Sequence, residues 1–442
     1  MGSPAVVDQT RVEGTTPRWS LATRLAFRLC VVYFAIYCLS TQIITTLIAI
    51  PNLDLPDPSS IPPLRPIIGF AAAHIFHLAV TPAFFAETGS GDRPCDWVLV
   101  FCLLVFSLLG TALWSILDRR RNSYPPLCKW LWLLFRICLA GQLFAYAFVK
   151  IVPLQMPFPL LFKLVEPFGS FSPMGVLWSS IGASPAYEIF AGCAECLGGI
   201  LLLIPRTRTL GALVCLADMV QVFLLNMTYD VPVKLLSFHL ILLSLVLLAP
   251  EFRRLANFFF LNRPTDPRPP NPLFRTRRAN RTATALQILF ISWLLGTNIY
   301  GARQGWKQFG GGATKPVLYG IWDVEQQTID GQPHPPLLTD TARWRRVLFD
   351  VNNLAVVEGM DDQRTFYSVA IDTHTNTLKL TDRVSAKAMP LLTYTRPTDG
   401  HLIVDGPLNG HKIHLELRLY DRNKFLVVGR GFHWVQQSPY NR

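Results

Sequence analysis

The sequence predicts a polytopic α-helical membrane domain of seven or eight spans, followed by a C-terminal all-β antiparallel domain. Three observations carry that expectation. Half of the 442 residues are hydrophobic and only 16% are charged, against about a quarter charged in ordinary soluble domains. The apolar residues gather in runs close to the length at which a helix crosses a hydrocarbon core. Beyond Tyr300 the runs shorten, become β-branched and aromatic, and alternate with turn residues.

Residues 1–23 read as a tail and 24–301 as the helical domain. Runs at 24–50, 97–117, 128–150, 185–204, 209–228, 234–250 and 284–301 predict spans. The run 67–86 carries His74, His77 and Pro82, so it is either an eighth span or a re-entrant, partly buried segment. The first run is too long for the apolar part of a cleaved leader, and no small-residue cleavage pattern follows it. It therefore predicts a retained anchor.

The formal net charge is +12, and the basic residues follow the loops. Loop 118–129 carries Arg119, Arg120, Arg121 and Lys129, loop 205–209 carries Arg206 and Arg208, and loop 251–281 runs from Arg253 through Arg268 to Arg281. Loop 87–96 has only Arg93, and 229–233 has no basic residue. The positive-inside rule makes the basic loops cytoplasmic and everything after Tyr300 extracytoplasmic. Seven spans put the N-terminus, with Arg11, Arg18, Arg24 and Arg28, on the cytoplasmic side, and eight put it outside. Because charge tracks topology and no recognition motif accompanies it, no nucleic-acid partner is expected. The partner that composition implies is the lipid bilayer. The nine cysteines are scattered through apolar runs, Cys95 excepted. That placement argues for small packing residues and against a disulfide framework.

Residues 302–315 read as a glycine-rich linker and 316–442 as the β-domain. Strands are expected at VLYGIWDV, RWRRVLFD, TFYSVAID, PLLTYTR, HLIVDG, KIHLELRLYD and FLVVGRG. Turns are expected at Asp330-Gly331, Asp361-Asp362, Asp399-Gly400, Asn409-Gly410 and around Asp421. The spacing suits a meander, closed as a barrel or folded as a sandwich. Gly320-Ile321-Trp322 on the first strong strand and Arg430 on the last resemble lipocalin-like barrels. That resemblance implies that Arg430 packs on Trp322 and closes the barrel end. Otherwise Trp322 simply fills the core. Such a barrel holds one small apolar ligand or is packed solid. The closing RGFHWVQQSPYNR, rich in aromatics and arginine, predicts a tail that docks.

Ionisable groups in a bilayer are costly and turn inward, pair, or serve a function. Arg136 falls in the inner half of 128–150 and Lys150 at its outer end. Glu188 opens 185–204, with Glu195 on the same face roughly 10 Å deeper. Asp218 lies mid-membrane in 209–228 and Asn226 near its exit. Asp230 and Pro232 precede 234–250, which carries Lys234 and His239. Lys150, Glu188, Glu195, Asp230 and Lys234 therefore form a polar membrane cluster in the outer half, with Arg136, Asp218 and Asn226 as secondary members. Either these groups pair as a structural network, or they form a site for a polar headgroup, a quinone carbonyl or a proton path. Asp230 suits a helix cap and Pro232 a first turn. Lys234 opposes the helix dipole there, so it is expected to reach Glu188 or Glu195.

Other polar features have bland alternatives. His74 and His77, three apart on a helical face, suit a metal pair, but no further ligands stand nearby. Cys193 and Cys196 have C-x-x-C spacing, which two packing residues also satisfy. FAETGSGDRPCDW reads as a turn, and the Pro- and Phe-rich 151–183 as an interfacial or re-entrant segment roofing the cluster. No nucleophile triad, nucleotide fingerprint or paired catalytic carboxylates stands out, so the residues name no reaction. His334, His401, His411, His414 and His433 read as surface or packing residues.

Arg136, Gly141 and Lys150 on one span, the E-x-x-G-G element Glu195-Cys196-Leu197-Gly198-Gly199, and the apolar run ending Pro205-Arg206-Thr207-Arg208 resemble the DoxX-like family over about 128–250. The whole chain resembles a longer variant with added N-terminal spans and a β-domain, in which TGSGD, YDVPVK and the terminal RGFHW recur. The name-giving member is a membrane subunit associated with thiosulfate:quinone oxidoreduction. The resemblance implies a bacterial inner-membrane protein with an extracytoplasmic β-domain, linked to quinone or redox stress through a membrane redox partner. Arg136, Lys150 and Glu195 are the polar residues it carries over, and the thiol pair is not part of the pattern. The expected function is a quinone- or lipid-linked redox accessory. The alternatives are a non-enzymatic envelope scaffold whose β-domain binds an apolar ligand or a partner protein and, more remotely, a carboxylase-like membrane enzyme.

Overall fold

A computed structural model describes residues 18–53, 55–266, 272–351, 353–408 and 410–441. Arg11, Arg268 and Asn409 lie outside these residues. Among the described residues seven helices are long and apolar enough to cross a membrane. They are α1 (Leu21–Ser40), α2 (Pro94–Leu117), α3 (Pro125–Ile151), α4 (Pro185–Leu203), α5 (Arg208–Thr228), α6 (Lys234–Leu248) and α7 (Arg277–Gln308). Three of them open on proline, whose fixed φ and missing N–H suit a first turn. Ser20 caps α1 by accepting from Thr23 N at 3.1 Å.

The run 67–86 does not become an eighth span. Its helix, Leu64–His74, is 11 residues long, and a 3-10 turn at Pro82–Phe85 follows non-helical chain. His77 sits outside the helix at φ 53°. The expected His74/His77 pair on one helical face is therefore corrected. His74 instead stacks on Phe70 at 4.4 Å. The first apolar run also breaks, at Thr41, into α1 and a short helix Gln42–Leu47.

The chain forms two compact units, Met1–Tyr146 with Ala194–Asn298, and Ala147–Cys193 with Ile299–Arg442. The division is not a simple cut at the glycine-rich stretch, because α7 continues through Gln308. Gly310, Gly311 and Gly312 then fold against the Trp306 ring, leaving no room there for a Cβ.

The β-domain has eight main strands: β1 (Gly320–Ile329), β2 (Trp344–Asp350), β3 (Leu354–Gly359), β4 (Arg364–Asp372), β5 (Thr377–Asp382), β6 (Leu392–Thr398), β7 (His401–Leu408) and β8 (His411–Leu419). Each pairs antiparallel with the next, and β1 pairs again with β8, closing an up-and-down barrel. The start of β1 meets β2 (Ile321 opposite Leu348), and its later part meets β8 (Gln327 opposite Leu415). A register shift between Val324 and Gln326 lets one strand serve both neighbours. Asp330 and Gly331 both take positive φ, as a tight turn out of β1 requires.

Alternate residues of every strand point inward and form one buried cluster, including Trp322, Phe349, Val357, Val369, Leu380, Tyr394, Leu402 and Leu415. Trp322 fills the core, and its Nε1–H donates to Leu318 O at 2.8 Å. Its expected arginine is corrected. The guanidinium over its ring belongs to Arg396, 5.8 Å from the centroid. Arg430 lies over Tyr440 at 3.9 Å. The physical reason is that β8 ends at Leu419, and FLVVGRG forms a one-turn helix, Leu426–Gly429, instead of a strand.

The 151–183 segment belongs to the same unit. Its Leu161–Leu164 turn docks on the outer face of the barrel, where Leu161 packs with Ile321, Leu348 and Val356. Phe162 meets Phe366 edge-on at 5.4 Å, and Arg364 pairs with Glu166 at 3.3 Å. Leu161 N donates to the buried Asp350 carboxylate at 2.8 Å. Burial pushes the Asp350 carboxyl above its ordinary range. The tail leaves Phe432, Trp434 and Val435 exposed at 77%, 91% and 88%.

Candidate functional site

The expected cluster separates into distinct arrangements. The start of α6 is capped from far away in sequence. Asp92 accepts from Lys234 N at 2.8 Å and from Leu235 N at 2.9 Å, and Gly91 N donates to Pro232 O at 2.8 Å. TGSGD and YDVPVK are thus two halves of one lock. Asp230, the expected cap, is at φ 52° and pairs with the Lys234 ammonium at 3.0 Å instead. Asp92 is a second anion 3.8 Å from that ammonium. Two local carboxylates resolve the conflict with the helix dipole, so Lys234 takes them as partners in place of the expected Glu188 or Glu195.

Lys150 and Glu188 are both buried, at 7% and 1% exposure. They come together because Gly192 lets α4 approach α3 to within 2.7 Å of Ala147 O, counted from where a Cβ would sit. Glu188 lies within electrostatic reach of Lys150, and its Oε1 accepts from Met156 N at 2.8 Å. The 151–183 segment therefore does begin over Glu188. The other carboxylate oxygen, Oε2, is buried with no hydrogen-bond partner.

Glu195 takes part in a different group, in the helical unit. Gly199 packs on the Phe144 ring at 2.7 Å from a would-be Cβ, and Gly141 packs on Leu47 at 2.6 Å. These close approaches bring α4 and the Gln42–Leu47 helix against α3. Glu195, 3% exposed, then lies within electrostatic reach of Tyr146. Gln42 Nε2 donates to Tyr146 Oη at 3.2 Å and to Gln142 Oε1 at 3.1 Å. Gln142 Nε2 is buried with no partner.

Gln42 also lines a cavity of about 100 Å³, together with Tyr37, Thr41, Asp57, Ser90, Arg93, Asp96 and Leu236. About 10–15 Å³ of such volume holds one water, so this space takes a larger polar group. Its rim is stiff: Arg93 bonds Asp96 at 2.8 Å and Asp57 at 3.1 Å, and donates to Ala86 O at 3.1 Å. Tyr37 stacks on His239 at 4.0 Å. His239, 3% exposed, bonds Leu235 O through Nδ1 at 2.7 Å and Tyr33 Oη through Nε2 at 2.6 Å. A carbonyl only accepts, so Nδ1 carries the proton and Nε2 of the neutral ring accepts from Tyr33. Two groups thus reach the cavity lining, Gln42 bonded to Tyr146 with Glu195 in electrostatic reach, and Tyr37 stacked on the Tyr33-bonded His239.

Sequence reasoning placed Glu195 correctly as a buried polar group but missed Tyr33, Tyr37, Gln42, Asp92 and Arg93. His239 was visible in the sequence. The signal that it mattered was a histidine inside an apolar run. The secondary residues are local. Asn226 donates to Ser237 Oγ at 3.0 Å and Val233 O at 3.2 Å, fastening the α5–α6 turn. Arg136 Nε donates to Trp132 O at 3.1 Å. Asp218 lies where Gly198 lets α4 and α5 meet, 3.5 Å from a would-be Cβ. Among the described residues no group of His, Cys, Asp and Glu is arranged to hold a metal. Neither Cys193 nor Cys196 is joined in a disulfide.

No family model matches the chain, and no solved structure matches it. One similar protein is the uncharacterized YwoB of Bacillus subtilis (strain 168), 32% identical over 134 residues, a stretch covering 28% of this chain and 79% of YwoB.

Proposed function

The chain belongs to the family of the uncharacterized Bacillus subtilis protein YwoB, and from that starting point we propose that it is an integral membrane protein that binds the headgroup of a quinone in the Tyr37–Gln42–Arg93 cavity, as an accessory to a membrane redox partner. The observation that carries this reading is the meeting of two polar groups of residues, Gln42 with Tyr146 and Tyr37 with His239, at one cavity inside an otherwise apolar helical unit. Tyr37, backed by His239, offers a ring face for stacking. Arg93, Ser59 and Ser90 line the same cavity and offer donors to ring carbonyls, which is the test of fit that the residues pass. When bound, a quinone supplies two-electron, two-proton chemistry. The chain's own part is to orient the ring against Tyr37, which His239 backs. The resemblance to the DoxX-like family points to the same ligand class. The distribution of basic loops supports a bacterial inner-membrane location with the β-domain outside.

Extraction of the protein purified in mild detergent, with mass spectrometry of the extract, tests the reading. A quinone near one per chain is expected, falling about tenfold in Gln42→Ala, the equivalent of about 1.4 kcal/mol. Recovery of phospholipid alone, from wild type and variant alike, would remove the quinone.

The scaffold reading is favoured by one observation, the exposed Phe432, Trp434 and Val435 of the tail, which form an apolar patch suited to a partner protein. The contiguous inward cluster of the barrel does not favour an apolar ligand there.

A further inference from the structure

A second cavity, about 610 Å³, lies in the helical unit at the start of α3, lined by Arg121, Asn122, Ser123, Tyr124, Leu127 and Trp130. It is separate from the quinone cavity and shares no residue with it. Its depth in the membrane follows from helix length. The flanking α2 and α3 have 24 and 27 residues. At about 1.5 Å per residue each exceeds the roughly 30 Å hydrocarbon core, so the loop joining them sits among lipid headgroups.

The chemistry of the walls is that of an anion site with an apolar side. Arg119, Arg120 and Arg121 are exposed. The Arg121 guanidinium lies 5.5 Å over the Tyr124 ring, and its carbonyl accepts from Arg24 Nη1 at 3.2 Å. Arg24 Nε is buried without a hydrogen-bond partner. The nearby acid is already committed: Asp118 Oδ2 accepts from Tyr124 Oη at 3.0 Å. Tyr124 is itself fixed by the buried Arg28, which donates to it at 2.6 Å and to Ser115 Oγ at 2.8 Å. On the other side Trp130, 48% exposed, meets Phe274 edge-on at 5.4 Å, while Lys129 Nζ donates to Pro272 O at 3.1 Å. A tryptophan beside arginines at this depth is an interfacial arrangement.

We infer that this cavity is a headgroup site for an anionic phospholipid, with the phosphate held by Arg121, Asn122 and Ser123 and the glycerol and first methylenes against Leu127 and Trp130. A guanidinium is the side chain best matched to phosphate oxygens. The apolar wall favours a lipid over a free ion.

The test uses the delipidated full chain in neutral detergent, titrated with phosphatidylglycerol or phosphatidylcholine and followed by native mass spectrometry and thermal melting. Phosphatidylglycerol is expected to bind about tenfold more tightly than phosphatidylcholine and to raise Tm. Arg121→Gln is expected to erase that preference, while Arg206→Gln, in another basic loop, keeps it. Equal binding of the two lipids by wild type overturns the inference without recourse to any variant. So does an equal loss in Arg206→Gln, which would make the effect one of general charge. Displacement of phosphatidylglycerol by inorganic phosphate, with the same rise in Tm, also overturns it, in favour of a free-anion site.

Discussion

Replacing Asp92 by alanine strips two acceptors from the first turn of α6 and leaves the Lys234 and Leu235 N–H groups unpaired. The expected loss is about 1–2 kcal/mol, the usual cost of a lost cap, read as a fall in Tm of the full chain in detergent. Asp230→Ala should change Tm little, because its side chain is 84% exposed and its pair with Lys234 is a surface pair. A larger fall from Asp230→Ala would reverse the assignment of the cap. At this scale the sequence made the polar residues visible but hid their partners. Asp92 and Lys234 are 142 positions apart, and no local spacing announces such a cap. Asp230, four residues before Lys234, satisfied every local rule and still lost the role. It sits in the left-handed region, and the loop from 88 to 92 brought a better-placed carboxylate.

Among elements, long apolar helices were legible because length and composition alone decide them. The short LAVVEG and TLKLTD strands, β3 and β5, were not anticipated. β3 is buried on both faces and shows no alternation, and β5 is only six residues long. FLVVGRG had strand composition but lies beyond the closing strand, with no neighbour left to pair with. The pairing of β7 with β8 carries a pH dependence. His414 on β8 bonds Asp405 on β7 at 2.8 Å and lies 3.6 Å from Glu416. The hydrogen bond to Asp405 holds the imidazole pKa above its ordinary value. That contribution to stability is complete below the unfolded pKa of about 6.5 and fades as pH rises through the higher folded value. The full chain should therefore lose Tm as pH rises above about 6.5 and through that higher folded value, and His414→Gln should shrink that loss. An unchanged pH profile in the variant would show that the pair contributes nothing.

For the whole molecule, seven crossings, one for each long apolar helix among the described residues, would place the start of α1 and the end of α7 on opposite membrane faces. With the basic loops cytoplasmic, a fluorescent-protein fusion at the N-terminus should be bright, and an alkaline phosphatase fusion after Leu419 should be active. The reverse pattern would invert the protein. Hydropathy made the long apolar helices readable. The polar cavity was not, because it is assembled from α1, the Gln42–Leu47 helix, the 88–92 loop, α2 and α6, and depends on glycines whose purpose appears only when helices touch. The measurement closest to the central claim is photolabelling of the full chain in membranes with an azido-quinone, followed by peptide mapping. Labelled peptides are expected around Tyr37–Gln42 and Ser90–Val100, with labelling suppressed by excess unlabelled quinone. Labelling confined to the outward faces of the helices, and indifferent to that competitor, would contradict it.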